Sequence, residues 1–208
     1  MGQNHGGLPR LRFMGGWVLR CEGPAAALNS AYFDARFKVL RAPLGFLPGA
    51  ARLPDDDDAI HAWIESDEIH VVAVGRIHLI PAGSCGSCAD TVDDNAAHCP
   101  DFPPLANEGM KDAAGNSFPH PNAMRPAVQI RQMGTLPSYR RQGLAAQILA
   151  ELELQSVEKF AATTGFLQAR EHAIPFYASQ GWVIIDEEYT IPGIGPHCSM
   201  MKRLVENQ

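Results

Sequence analysis

Four consecutive residues, Arg140, Arg141, Gln142 and Gly143, stand directly in front of an apolar helical pattern in the stretch SYRRQGLAAQIL. The N-terminal end of a helix is already positive, so extra cations there are unfavourable by roughly a few tenths of a kcal/mol unless an anion settles among them. Gly143 has no Cβ to hold a phosphate away from the backbone N–H groups that converge at such an end. The stretch follows a strand pattern, PAVQIRQMGTLP, and strand, turn and helix in that order form a geometry that binds a pyrophosphate. The spacing is neither G-x-x-x-x-G-K-[ST] nor G-x-G-x-x-G, which argues against nucleoside triphosphates and dinucleotides.

Two other groups of residues invite a chemical reading. Cys85-x-x-Cys88, with His98, Cys99 and His120 downstream, has the outline of two halves of a zinc site. His98 and Cys99 are adjacent, however, and two neighbouring residues do not readily ligate one tetrahedral ion, so thiols in a loop are expected and no metal ligand is assigned. The acidic run 55–58 reads as a solvated face or a helix start. Five cysteines, Cys21, Cys85, Cys88, Cys99 and Cys198, are an odd number, which favours thiols or a metal over a disulfide framework.

The elements that hold these residues are legible as patterns. GGWVLRCEG is strand-like, and PAAALNSAYFDARFKVLRAPLG opens with a proline and spaces Leu28, Tyr32, Phe33, Phe37 and Leu40 as a helix does. AIHAWIES and HVVAVGRIHLIP read as adjacent strands, the second almost continuously apolar and therefore central in a sheet. Periodicity disappears over 82–122, a stretch rich in Gly, Pro, Asp, Asn and Ala that is too long for an ordinary connection and reads as an insertion. A helix is expected over 142–164, with Ala145, Ile148, Leu149, Leu152 and Phe160 on one face and Gly165 as its stop. FLQAR is the next strand and IPFYASQG a short helix with Pro175 in its first turn and Gly181 after its end. WVIIDEEYT and HCSMMKRL form a closing strand pair. No internal repeat is present, and the order is that of a mixed α/β layer protein.

The chain has 208 residues, 46% hydrophobic and 19% charged, which suits one domain with one core. A flexible N-terminal arm over 1–14 and a single domain over 15–208 are expected. With a net charge of -6 and no basic stripe, nucleic acid is excluded as a partner, and an amine-bearing one fits better. No run of about 18 apolar residues predicts a membrane span. MGQNHGGLPRLRF lacks the apolar stretch of a signal peptide, and Gly6 stands where a myristoylation signal requires Ser or Thr, so a cytoplasmic protein without a membrane partner is expected.

Arg140-x-x-Gly143-x-Ala145 resembles the R/Q-x-x-G-x-G/A signature of the GNAT superfamily, the acyl-CoA-dependent N-acyltransferases. IRQMGTLPSYRRQGLAAQIL is similar to that family's strand–loop–helix unit throughout. LQAREHAIPFYASQGW is similar to its next strand and helix, with the F-Y-x-x-x-G-aromatic ending. The resemblance covers 128–204 well and the earlier elements more loosely, and the 82–122 segment departs from it. It implies a GNAT-like mixed, mostly antiparallel central sheet with helices on both faces.

The resemblance further implies that acetyl-CoA is the cosubstrate, its pyrophosphate on Arg140, Arg141, Gln142, Gly143, Leu144 and Ala145. Its pantetheine arm would pair with the strand at Met133, Gly134 and Thr135. It gives Tyr177 the role of protonating the departing thiolate, although a half-buried packing tyrosine beside Phe176 and Trp182 is the plainer reading of the residue. Amine attack also needs a base, because an ammonium has no lone pair. Glu171, His172, His78 and His197 are candidates, and His197, beside a loop closing the sheet, is placed first with Tyr177 as a catalytic residue.

The reaction so implied is direct transfer of an acetyl group from acetyl-CoA to a primary amine, on a small molecule or on a protein or peptide, without a covalent enzyme intermediate. The resemblance also allows a homodimer. The alternative is a CoA-binding or zinc-stabilised interaction module that keeps the fold without turnover.

Overall fold

Asn29 sets the start of the first helix: its backbone is extended and its side-chain oxygen accepts the Tyr32 N–H at 2.9 Å. Helix α1 is therefore Ser30–Leu40, and Pro24, expected at its start, lies outside it. The computed structural model describes residues 10–14, 16–66, 70–86, 99–112 and 114–205.

The strands are β1 (Arg10–Met14), β2 (Trp17–Glu22), β3 (Ala59–Ser66), β4 (Val71–Leu79), β5 (Ala127–Thr135), β6 (Thr164–Arg170), β7 (Val183–Ile184), β8 (Tyr189–Ile191) and β9 (Gly195–Arg203). Three more helices are α2 (Pro103–Ala106), α3 (Leu144–Phe160) and α4 (Ile174–Ser179). Hydrogen bonding orders the strands β1-β2-β3-β4-β5-β6-β9-β7, with β8 beside β9, in a mixed, mostly antiparallel sheet whose β5–β6 pair is parallel. Arg10–Met14, read in the sequence as part of an arm, is a strand in register with β2 from Arg10↔Cys21 to Met14↔Trp17. None of the helices is long and apolar enough to cross a membrane among the described residues.

The chain divides into two compact units, Met1–Ile77 with Gln132–Leu152, and His78–Arg131 with Glu153–Gln208. In the first, helices cover both faces of the sheet, and two glycines show why. A Cβ on Gly75 would come within 2.7 Å of Ile148 and 2.8 Å of Met133, so α3 and the Met133 side chain fill that face. Gly134, next along β5, points the other way, and a Cβ there would collide with Val39 Cγ1 of α1. Gly134 is thus explained by helix packing, and the left-handed bend of β5 falls at Gln132, φ +55°.

The second unit repeats this two-sidedness on β6. A Cβ on Gly165 would lie 2.7 Å from the Trp182 ring, whereas the neighbouring Phe166 faces Phe102 at a ring-centroid distance of 4.9 Å. Gly165 is therefore a strand residue with a close neighbour and not the stop of α3. That helix ends instead with Ala161 in the left-handed region at φ +52°, and the Ala162 N–H bonds Ser156 O. The described part of the 82–122 segment is not a bare loop: Phe102 and Leu105 join Ile80, Met124, Ala127, Phe166, Ile185 and Met201 in one buried cluster. Its Gly and Pro content hides a short structured cap from any periodicity test, because two apolar side chains suffice to anchor it.

Replacing Gly134 by Ala forces overpacking against α1 and is expected to cost about 1–3 kcal/mol in urea unfolding. Combining it with Val39→Ala, which removes the colliding methyl, should destabilise less than the sum of the two single changes. Strict additivity would show that α1 does not set the requirement for glycine.

Candidate active site

In the first unit β5 hands the chain to the Arg140 to Ala145 stretch through a tight corner. The Leu136 N–H bonds Val72 O at 2.9 Å, and the 3₁₀ turn Pro137–Tyr139 follows. Tyr139 is braced edge-on against Trp17. Arg140 folds back, its Nε donating to Thr135 O at 3.2 Å. Arg141 and Gly143 both adopt left-handed backbone, φ +61° and +76°. Arg140, Arg141, Gln142 and Gly143 are exposed, while Leu144 is buried and offers a ligand only its backbone. A Cβ on Gly143 would find nothing nearer than Gln147 Nε2 at 3.9 Å, so the space against its backbone is open.

Two buried polar atoms in this region have no partner among the described residues: Thr135 Oγ1 and Gln147 Oε1. Buried hydroxyl and amide oxygens are normally satisfied, so such orphans mark a place where something else bonds them. Met133, Gly134, Thr135 and Arg140 to Ala145 are thus carried by one continuous strand, corner and helix start, with exposed backbone at the turn. A strand end, left-handed turn and open helix start of this kind fit the arm and pyrophosphate of a CoA thioester.

The acidic run does form a helix start, the 3₁₀ turn Asp56–Asp58, but its first two residues are not a solvated face. Asp55 and Asp56 neutralise two wholly buried arginines: Asp56 Oδ1 lies 2.9 Å from Arg36 Nη1 and 3.2 Å from Arg76 Nε, and Asp55 Oδ2 lies 3.0 Å from Arg76 Nη2. Asp56 Oδ2 also accepts the Leu53 N–H at 2.8 Å. His61 donates through Nε2 to Asp56 O at 2.8 Å, which leaves Nδ1 to accept the Tyr32 hydroxyl at 3.0 Å. Burial pushes His61 down to about 4, so this imidazole is neutral at neutral pH. Arg36 reaches on through Nε to Gln132 Oε1 at 3.4 Å, the residue at the bend of β5. Sequence reasoning missed the network because its partners lie 20 or more positions apart and only the fold joins them. The available signal was two charges, Arg36 and Arg76, inside otherwise apolar helix and strand patterns.

The second unit holds Tyr177 and His197. Tyr177 lies in α4, buried between Phe176 and Trp182, with ring centroids at 5.0 and 6.3 Å, and burial raises its phenol well above the usual range. His197 lies on β9 directly opposite Arg170 of β6. Its Nδ1 is 2.8 Å from Gly195 O, which only a protonated nitrogen can satisfy, so Nε2 carries the lone pair. Burial, opposed by the Gly195 bond and assisted by the nearby Arg170 and His172 charges, lowers its pKa below the ordinary histidine value. Tyr189 stacks on the ring, interplanar angle 18°, and its hydroxyl meets Ser199 Oγ at 3.1 Å.

Tyr177 and His197 belong to different faces of the sheet. Trp182, the ring beside Tyr177, covers the Gly165 side of β6, whereas His197 shares the Arg170 side. Among the other base candidates, Glu171 and His172 are exposed on a short turn and His78 is buried in β4. Cys88 and His98 lie outside the described residues. Cys85 packs against the Phe102 cluster, Cys99 Sγ is 3.8 Å from Arg131 Nη2, and His120 Nε2 pairs with Glu108 at 2.8 Å. No group of three metal-holding side chains occurs among the described residues.

Residues 122–204, which hold most of β5, the corner and helix start, and the next strand and helix, match the family model described as acetyltransferase (GNAT) domain. The chain is 35% identical over 78 residues to the uncharacterized N-acetyltransferase YitI of Bacillus subtilis, a match covering 38% of this chain and 52% of that protein. The chain thus matches about half the length of this curated relative. The fold is shared with an acyl-CoA N-acyltransferase from Pseudomonas aeruginosa, TM-score 0.56 at 18% identity over 89% of this chain and 99% of that one. Escherichia coli ElaA is similar to the same degree, TM-score 0.55 at 15% identity over 93% and 100%.

The buried network separates the carboxylates of the acidic run sharply. Asp56→Ala leaves two buried guanidinium groups without their shared counter-charge and is expected to cost about 3–5 kcal/mol. Asp58→Ala, on an exposed residue of the same run, should stay within about 0.5 kcal/mol of the parent. Equal effects in denaturant unfolding would return the run to a solvated face.

Proposed function

We propose that this chain transfers an acetyl group from acetyl-CoA to a primary amine by direct attack, within a single catalytic domain over 15–208. The observation that carries the reading is the open turn at Arg141 and Gly143 beside the orphaned Thr135 hydroxyl, inside the matched acetyltransferase segment. Backbone N–H groups at the start of α3, with Arg140, Arg141 and Gln142 around them, take the pyrophosphate. The end of β5 at Met133, Gly134 and Thr135 takes the pantetheine amides. Leu144 and Ala145 contribute through the helix backbone.

In the reaction the amine nitrogen attacks the thioester carbonyl carbon, and the C–S bond breaks with its electron pair on sulfur. His197 Nε2 accepts the amine proton, for which a lowered pKa and a fixed Nδ1–H tautomer suit it. Tyr177, given to the departing thiolate by the resemblance, stands with Trp182 on the Gly165 side of β6, away from His197, so this reading leaves it the packing role and lets the thiolate take its proton from solvent. The enzyme contributes chiefly positioning, and no cysteine acts as nucleophile. The acceptor is an amine on a small molecule or on a protein or peptide, and this reading gives the acidic chain neither nucleic acid nor membrane as partner. A homodimer and a cytoplasmic setting accompany this reading.

Two measurements test it. Acetyl-CoA should raise the melting temperature of the parent, and Gly143→Val, which puts a branched side chain into a left-handed position at the phosphate approach, should abolish that shift. A shift that survives removes the pyrophosphate from this turn. The second is a pH profile: kcat/KM should fall on the acid side as His197 gains a proton, with an inflection below about pH 6.5 because the folded pKa is lowered. In His197→Gln that limb should vanish along with most of kcat; an unchanged limb would assign it elsewhere.

A further inference from the structure

Arg36 and Arg76, the arginines with no exposed surface, have their counter-charge inside the fold in Asp55 and Asp56. Arg170 does not. It ends β6 half-buried, desolvation pulls its guanidinium below the usual value, and among the described residues no carboxylate pairs with it and no acceptor takes its N–H groups. Glu171, the next residue in the chain, is exposed, and Asp186 Oδ1 accepts the Ser199 N–H at 2.7 Å. A half-buried guanidinium with no such partner among the described residues is open to an anion from outside.

Arg170 stands directly opposite His197 in the antiparallel β6–β9 pair, so both side chains leave the same face from Cβ atoms about 4.5–5.5 Å apart. One offers a planar fork for a carboxylate. The other offers a lone pair on Nε2, with its ring held by the Gly195 carbonyl and the stacked Tyr189. The two receptors match the two ends of a molecule whose amine and carboxylate are separated by a single carbon. We propose that the acceptor is a free amino acid, its carboxylate bound by Arg170 while its ammonium gives up a proton to His197 Nε2. This rests on the acyl-transfer reading above. The new bond joins the amino nitrogen to the acyl carbon, the C–S bond breaks, and the products are an N-acetyl amino acid and CoA. Arg170 is a specificity residue in this scheme: it holds the part of the acceptor that does not react.

The test compares amino acids with the amines left when their carboxylate is removed, leucine with isoamylamine for one pair, across a panel of side chains. Thiol release from acetyl-CoA by the whole chain is the readout. A charge-assisted pair of hydrogen bonds predicts a kcat/KM roughly 10- to 100-fold higher for the amino acid than for its matched amine in the parent. In Arg170→Met that ratio should collapse towards one, mostly through KM for the amino acid, and Arg170→Lys should recover part of it. The acetyl-CoA melting shift, read on each variant, verifies folding and cosubstrate binding. Turnover of amines without preference for the carboxylate, or an Arg170→Met ratio equal to the parent's, overturns this proposal and leaves acyl transfer standing. Absence of thiol release with every acceptor, while acetyl-CoA still raises the melting temperature, overturns acyl transfer and this proposal together.

Discussion

The first unit is organised around the carboxylate of Asp56. One oxygen meets Arg36 of α1 and Arg76 of β4, and the other takes the Leu53 N–H. The same residue's carbonyl holds His61 of β3, which in turn holds Tyr32 of α1. A helix and two strands are therefore referred to a single side chain and its own backbone. The chain continues this reference towards the chemistry: Arg36 also reaches Gln132, and Gln132 is where β5 bends before it delivers Met133, Gly134 and Thr135. Ion pairs this deep gain little net stability over apolar packing, but losing one partner is expensive, so their effect is to forbid other arrangements. A bend with left-handed backbone at a non-glycine residue is the kind of feature that persists only where its surroundings over-determine it.

In the second unit the corresponding role falls to register. The parallel β5–β6 ladder runs from Ala127↔Thr164 to Ile130↔Leu167, and the antiparallel β6–β9 ladder from Thr164↔Arg203 to Arg170↔His197. A slip of one residue in the second ladder would turn every side chain to the opposite face. Two neighbours prevent it. Gly165 leaves room for Trp182, whose indole N–H donates to Glu153 Oε1 at 2.9 Å, and Phe166 meets Phe102 on the other side. With those two faces fixed, Arg170 and His197 must emerge together.

Much of this was legible in the chain. AIHAWIES is β3 residue for residue, HVVAVGRIHLIP contains β4, and the Arg140 to Ala145 turn occupies the corner between β5 and α3 that its strand–turn–helix order demanded. What escaped were features that depend on partners far apart in sequence. The capping role of Asn29 was overshadowed by an upstream proline, because a proline suits a first turn equally well. Gly165 looked like a helix stop since glycine is common there, whereas its reason is an indole seventeen positions later. The run 55–58 looked solvated because four acids in a row usually are, and only the fold brings two buried arginines to it.

The two ways this chain buries a guanidinium differ in a manner that bears on function. Arg36 and Arg76 are wholly enclosed, and the fold itself supplies their carboxylates, so nothing from solvent is needed and nothing can easily replace what is there. Arg170 is half-buried, faces an imidazole whose lone pair is also left open, and has no anion of its own among the described residues. A structural arginine is stabilised by completeness; a recognition arginine is kept incomplete, since the binding energy it offers a ligand equals the satisfaction the fold withholds from it. The low pKa of His197 follows from the same choice. Burial disfavours protonating the ring first of all, and the Arg170 charge close by adds to that. A bound carboxylate would offset that charge, raise the basicity of Nε2, and so prepare the base at the moment an acceptor arrives.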